Sequence, residues 1–305
     1  MRNGTGFVLP IAFSWKVARA GYRWIDSKDK RFLCAVDALQ PDWHNMFDRY
    51  ERTYRPLGER TGLFREFAEL KPTEPDILAF ANRFGLLEAR DDVELPSKSG
   101  PVSVHGDSLQ LWQDEIGVFK LAIALWDLLA AGKWQALADF QAKLNSPELL
   151  LAAGRSSHLN DADPAMPALS AIQRIADWRL QEHVATRLLF QDNLPRLGIS
   201  LMPHNLLGAL WLQFSAAVGA LKTFNKCQQC LAPFELSRDP QTGKRRDARF
   251  CSARCRVSHY RGRKEQARRL NSTGMSAQQI ARELNTTAGT VRGWLRSVER
   301  GGPGR

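Results

Sequence analysis

Apolar residues at helical spacing dominate the first three quarters of the chain. From Ser108 to Ala131 the large apolar side chains recur four and three residues apart, which predicts a helix with one buried face. Similar patterns predict helices over Ala168–Phe190 and Asn205–Phe224, and the second of these is apolar on nearly every side. A helix of that kind is typical of the centre of a bundle.

Shorter segments suggest other structure. Gly6–Phe13 and Arg31–Val36 are expected to form short strands, although neither alternates cleanly between apolar and polar residues. Val93–Gly106 contains two prolines together with serines and glycines, which predicts an exposed connection. The pattern as a whole predicts a mainly α protein in which residues 1–222 form a mostly helical domain.

Composition narrows the class of protein. The chain has 305 residues, of which 44% are hydrophobic and 25% are charged, as in ordinary globular domains. It contains no apolar run near the length of a membrane span. Five cysteines are too few for a disulfide scaffold, which predicts a reducing, cytoplasmic setting. The motifs of nucleotide-binding loops, zinc proteases and serine hydrolases are absent, so we do not expect an enzyme.

The positive charge is concentrated in the last 80 residues. Residues 226–305 contain 18 Lys and Arg against 6 Asp and Glu, a net charge of +12. Residues 1–225 contain 25 basic and 26 acidic residues, a net charge of −1. A neutral body with a basic C-terminal region indicates a polyanionic partner, most often a nucleic acid, and the alternative is a solubilising tail.

Four cysteines in that region form two close pairs. Cys227 and Cys230 are separated by two residues, and Cys251 and Cys255 by three. Two such pairs offer four thiolates to one ion, which predicts a structural zinc site with one ion per chain. Iron could accept the same ligands, and buried free thiols or a redox pair are the alternatives. His259, one helical turn after Cys255, could in principle replace it as a ligand.

The sequence around the cysteines predicts a treble-clef zinc finger over residues 223–270. Phe234 and Leu236 are expected in one strand and Arg249–Phe250 in the returning strand of a hairpin. Ser252 is expected to cap a helix that continues to about Leu270. On this helix four cations fall within one stripe about 80° wide, which is well placed to follow DNA phosphates. They are Arg254, Arg261, Lys264 and Arg268.

Ser276–Arg296 has the spacing of a helix-turn-helix, which we assign to residues 271–300. Its two apolar patches flank Asn285, a residue that tolerates the left-handed conformation of a tight turn. Thr287 is expected to cap the second helix, and the short tail 301–305 is expected to be disordered. This arrangement directs one helix to the major groove. The expected DNA contacts there are Thr287, Ala288, Gly289, Thr290, Arg292 and Arg296.

Two segments resemble known families. Residues 275–295, MSAQQIARELNTTAGTVRGWL, resemble the resolvase or homeodomain-like helix-turn-helix of bacterial DNA-binding proteins. Residues 226–264, which hold the four cysteines, resemble the C-terminal zinc fingers of bacterial, often prophage-associated, CGNR-like proteins. Together the resemblances imply zinc and DNA binding, and neither covers the N-terminal domain or implies recombinase chemistry.

Three hypotheses of function follow. The first is a zinc-containing, sequence-specific DNA-binding protein that regulates transcription, with the N-terminal domain binding a ligand or forming a homodimer. The second is an RNA-binding protein that uses the basic zinc finger. The third is an enzyme whose site lies in the helical domain and which the C-terminal region targets to DNA.

Overall fold

The computed structural model describes residues 13–36, 51–95, 101–144, 165–190, 197–236 and 247–296. Contacts divide the chain into two compact units, Met1–Thr223 (unit 1) and Phe224–Arg305 (unit 2). Most of the strand expected at Gly6–Phe13, and the tail 301–305, lie outside the described residues. No helix in the described part of the chain is long and apolar enough to cross a membrane.

Unit 1 mixes strands and helices along its length. Its strands are β1 (Trp15–Ala18), β2 (Tyr22–Ser27), β3 (Lys30–Ala35), β4 (Glu51–Tyr54), β5 (Asp91–Leu95), β6 (Val102–Ser108), β7 (Val184–Phe190) and β8 (Leu197–Pro203). Its helices are α1 (Pro56–Glu59), α2 (Leu63–Ala68), α3 (Glu74–Phe84), α4 (Leu109–Ala130), α5 (Trp134–Leu144), α6 (Ala165–His183) and α7 (Leu206–Gly219). The strands form a four-stranded sheet in the order β2-β3-β6-β5 and two two-stranded sheets, β1-β4 and β7-β8.

A short strand pair begins the second unit, and three helices end it. The strands are β9 (Thr223–Lys226), which starts at the last residue of unit 1, and β10 (Pro233–Leu236). The helices are α8 (Ala253–Ser272), α9 (Ala277–Glu283) and α10 (Ala288–Arg296). β9 and β10 pair with each other as the fourth small sheet in the described residues.

The predicted fold class, mainly α, is wrong. Helices account for about 54% and strands for about 22% of the structure, and the strands form four small antiparallel sheets. The expected exposed connection Val93–Gly106 instead contributes to the antiparallel pair β5-β6, in which Val93 lies opposite Val104. Both valines are buried. A segment that contains prolines, glycines and serines can therefore also contain paired strands.

The helix expected over Ala168–Phe190 ends early. α6 stops at His183, and Val184–Phe190 becomes β7, which pairs with β8 over seven residues. Similarly, the helix expected to reach Phe224 stops at Gly219. Short apolar runs suit a strand as well as a helix, and in β7 the choice is made by antiparallel pairing with β8, the next strand along the chain.

An aromatic cluster forms the centre of unit 1. α4 contributes Trp112 and Phe119, and α7 contributes Trp211 and Phe214; all four are fully buried. The rings of Phe119 and Trp211 stack with their centroids 3.9 Å apart. Side chains from α2 and α3 complete the cluster with edge-to-face contacts, a geometry that aromatic quadrupoles favour.

One ion pair is buried beside this cluster. Arg179 Nη2 on α6 lies 2.5 Å from Glu115 Oε1 on α4, and the two side chains are only 11% and 5% exposed. Trp211 Nε1 donates to Glu115 Oε2 at 3.3 Å. Burial raises the pKa of Glu115, while Arg179 and Trp211 act in the opposite direction. The pair therefore joins three helices of unit 1 through charged hydrogen bonds.

Candidate metal centre and nucleic-acid interface

The four paired cysteines converge in unit 2. The Sγ atoms of Cys227, Cys230, Cys251 and Cys255 all lie within 4.8 Å of one another. Cys251 Sγ is 3.6 Å from Cys230 Sγ and 3.4 Å from Cys255 Sγ. Tetrahedral coordination with metal–sulfur bonds of about 2.3 Å places sulfur atoms about 3.8 Å apart. The cluster could therefore hold a metal ion with little movement of the side chains.

Backbone geometry brings the first pair of cysteines together. Leu231 has a positive φ of 60° and its amide donates to the Cys227 carbonyl at 2.9 Å. The Cys227 amide in turn donates to the Ala232 carbonyl at 3.0 Å. These bonds close a tight turn between β9 and β10 that holds both thiols on one side.

The second pair is placed by the start of α8. Ser252 is the N-cap, and its Oγ accepts a hydrogen bond from the Cys255 amide at 3.1 Å. The amide of Gln228 donates to the carbonyl of Arg249 at 2.9 Å, which ties the first turn to the segment before Cys251. The cap predicted at Ser252 is confirmed.

The predicted hairpin is wrong in one strand. β10 pairs with β9, which precedes the cysteines, and Arg249–Phe250 forms no strand. The sharp turn after Cys227 already supplies β10 with a neighbour, and the Arg249 carbonyl is used by Gln228 instead. The alternative ligand His259 packs its ring against Phe250, with centroids 5.0 Å apart. The group of candidate ligands in the described residues consists of the cysteines alone.

The thiols differ in their ease of ionisation. Burial opposes the ionisation of Cys227, but backbone hydrogen bonds, the strongest involving Cys230, outweigh it and lower the pKa of its thiol to about 6. Burial, reinforced by neighbouring thiols, raises the pKa of Cys251 to about 12. Four adjacent thiolates repel one another without a cation, so a divalent ion would compensate charge here as well as supply bonds.

The sequence predicts a discrete helix-turn-helix, but the last two helices do not form one. α8 packs into the same core as these two helices. Ala267 of α8 is fully buried among residues of α9 and α10, and Leu270 packs against the same cluster. The buried members are Ala267, Ile280, Ala281, Leu284, Val291 and Trp294. The helix that carries Cys255 is thus also the first helix of a three-helix core.

Local hydrogen bonds set the ends of α9 and α10. Ser276 and Gln279 form a reciprocal capping box at the start of α9. Asn285 has a positive φ of 45° in the turn that follows. The Oγ1 atom of Thr287 accepts from the Thr290 amide at 3.2 Å and caps α10. The tight turn and the Thr287 cap were both expected from the sequence.

The four cations predicted on α8 differ in exposure. Arg254, Arg261 and Arg268 are exposed and Lys264 is half-buried. These four residues form the α8 stripe. In the described residues none of them makes an ion pair with a carboxylate, whereas the acidic and basic side chains of unit 1 pair repeatedly.

The residues predicted to contact DNA from α10 divide into two groups. Thr287, Gly289, Arg292 and Arg296 are exposed, and a shallow depression is lined by Gly289, Arg292, Leu295 and Arg296. Ala288 and Thr290 are half-buried, and Ala288 packs against the three-helix core. The exposed side of α10 therefore presents two guanidinium groups one turn apart.

One contributing residue was not singled out from the sequence. Arg263 lies on α8 between two members of the stripe but faces the core. Its Nη2 donates to the Leu284 and Asn285 carbonyls, and its guanidinium lies over Trp294. Arg263 follows Arg254 by nine residues, which at about 100° per residue places it on the opposite side of α8 from Arg254, and this offset is a sequence signal that could have identified it.

Unit 2 thus combines a four-thiol cluster with two helices that expose cations for which the described residues supply no carboxylate partner. Such an arrangement can bind one metal ion through sulfur and a polyanion through guanidinium and ammonium groups. Comparison with models of protein families, with curated proteins and with solved structures finds no match for this chain.

Proposed function

We propose that unit 2 is a zinc-containing module that binds duplex DNA in a sequence-specific manner, and that the protein regulates transcription. The observation that carries the proposal is the charge distribution. Residues 226–305 have a net charge of +12, and the α8 stripe and the outer side of α10 expose cations without carboxylate partners in the described residues. When exposed cations of this kind neutralise phosphates, they release the counterions that are condensed on the nucleic acid, which favours binding.

Zinc is the metal that best suits the cluster. Four thiolates in tetrahedral reach favour zinc or iron over magnesium, calcium or manganese, which prefer oxygen. Four protein ligands also leave no open coordination position for water or substrate, as in structural zinc sites. The role of the metal here is to hold the start of α8 against the turn that follows β9.

Arg292 is the residue best suited to read bases. It is exposed in the first half of α10, and Gly289, one turn earlier, adds no side chain beside it. A guanidinium can donate two parallel hydrogen bonds to guanine in the major groove. Lys264 and Arg268 of the α8 stripe are suited to phosphate contacts, which carry no sequence information.

We expect Arg292→Ala to reduce affinity for a selected DNA site by about 1–3 kcal/mol and to affect random duplex much less. Arg268→Ala should weaken binding to both duplexes alike and reduce the slope of log affinity against log salt by about one. The measurement is a set of titrations of the full-length protein with a site selected from random duplexes, with random duplex, and with structured RNA, each at two salt concentrations.

Arg269→Ala is the matched control, because Arg269 is exposed and adjacent to Arg268 but points about 100° away from it around α8. It should leave the salt slope nearly unchanged. An equal loss on both duplexes for Arg292→Ala would contradict the assignment of base reading to α10. Tighter binding to structured RNA than to any duplex would instead support an RNA-binding protein.

A further inference from the structure

Arg263 differs from the other cations of α8 in what it contacts. Its guanidinium donates to the carbonyls of Leu284 and Asn285, the latter at 3.3 Å, and lies 5.5 Å from the ring centroid of Trp294. The two carbonyls belong to the end of α9 and the following turn, and Trp294 belongs to α10. One side chain of α8 therefore touches both other helices of the unit.

These contacts match the chemistry of an arginine. Carbonyls at the end of a helix lack partners within the helix and carry partial negative charge. A guanidinium presents several donors in one plane, so it can serve two carbonyls and still lie over an indole face. A lysine ammonium at the same position has no flat face to place on Trp294.

The same helix carries the metal ligands. Arg263 follows Cys255 by eight residues, about 12 Å along an unbroken α8. Tyr260, between them, packs edge-to-face on Trp294 with centroids 5.8 Å apart. α8 is thus a continuous connection from the cysteine cluster to α10.

We infer that Arg263 is a positioning residue that fixes the orientation of α10 relative to the metal-bearing helix, and so couples metal binding to DNA recognition. The inference rests on the proposed function of unit 2. With metal bound, the start of α8 is held and Arg263 is in register with the α9–α10 turn. Without metal, the first turns of α8 lose their anchor, and Tyr260 and Arg263 lose their places on Trp294.

The experiment uses full-length protein labelled with 5-fluorotryptophan. The chain has nine tryptophans, of which Trp294 alone follows residue 223, so Trp294→Phe identifies its fluorine resonance. Arg263→Met and Arg263→Lys are compared with Arg269→Met, which removes the same charge from an exposed position on the same helix. Metal content, the Trp294 resonance and affinity for selected and random duplex are measured for each variant, with and without chelator.

We expect Arg263→Met to keep one metal ion per chain, to move the Trp294 resonance, and to lose about tenfold in affinity for the selected site with a much smaller loss on random duplex. Arg263→Lys should recover little of this, and Arg269→Met should behave as wild type. Chelation should move the Trp294 resonance in wild type while the other eight remain in place.

Two outcomes separate the inference from the proposed function. If wild type binds a selected duplex and Arg263→Met leaves both the Trp294 resonance and the affinity unchanged, Arg263 does not position α10. If wild type binds no duplex, the proposed function fails, and the Trp294 resonance alone still decides whether Arg263 holds α10. Loss of metal from Arg263→Met would also overturn the inference, because the residue would then act on the metal site itself.

Discussion

Removal of the metal is expected to unfold unit 2 and to leave unit 1 folded. In small zinc modules, metal binding contributes about 10–16 kcal/mol to the free energy of folding. The described core of unit 2 contains only six buried residues besides the cysteine region. Unit 1 has its own aromatic core and no ligand in the cluster. Chelator titration followed by circular dichroism should therefore show a partial loss of helix that zinc restores.

Cysteine variants test the same expectation without a chelator. Cys255→Ser should abolish stoichiometric metal binding and reproduce the partial unfolding. Cys34→Ala is the matched control, because Cys34 is buried in unit 1 and is not one of the four clustered cysteines, and it should keep one metal ion per chain. Protein purified under reducing conditions that contains neither zinc nor iron, or full helix content after chelation, would show that the cluster is not a structural metal site.

Glu115→Ala is expected to destabilise unit 1 by about 3–5 kcal/mol. The substitution leaves Arg179 with its charge buried and without its carboxylate partner, and it removes the acceptor of the Trp211 indole N–H. The free energy of unfolding can be measured by denaturant titration with tryptophan fluorescence, since Trp112 and Trp211 lie in the core of this unit.

The double variant Glu115→Leu with Arg179→Leu should recover most of that loss, because a buried ion pair and an apolar pair of similar volume are often close in stability. Glu94→Ala is the control for an exposed pair, since Lys28 and Glu94 are 3.0 Å apart but 71% and 57% exposed. It should cost less than about 1 kcal/mol. A similar decrease in the free energy of unfolding for Glu94→Ala and Glu115→Ala would mean that burial does not determine how much these ion pairs contribute to stability.

Local patterns in the sequence predicted several features correctly. α4 begins after Ser108, whose Oγ accepts from the Leu111 amide, and α7 begins after Asn205, whose side chain caps it. Caps and left-handed turns depend on residues within one turn of the chain, so their chemistry can be read without knowledge of the fold. The pairing of the cysteines could be read for the same reason, since each pair is close in sequence.

The strand predicted at Arg31–Val36 is confirmed by β3 (Lys30–Ala35), but most other strands of unit 1, and the partners of β3 itself, could not be assigned in this way. β3 gains its neighbour β6 from a segment more than 70 residues later, in which Gly106 lies opposite Cys34. An added Cβ at Gly106 would lie 2.7 Å from Cys34 Sγ, so the glycine permits a close approach of strands. In the sequence, however, Gly106 lies in a segment rich in glycine and proline, and that composition predicts a loop.

The sequence by itself determined the local chemistry of this protein: the four thiols and their spacing, the helix caps, and the excess of positive charge in the last 80 residues. Each depends on residue type and short separations along the chain. The tertiary structure decided which apolar runs became strands, and it assigned α8 to the cysteine cluster and the three-helix core together. It also placed Arg263 against Leu284, Asn285 and Trp294, which lie more than 20 residues away along the chain and which only packing brings into contact.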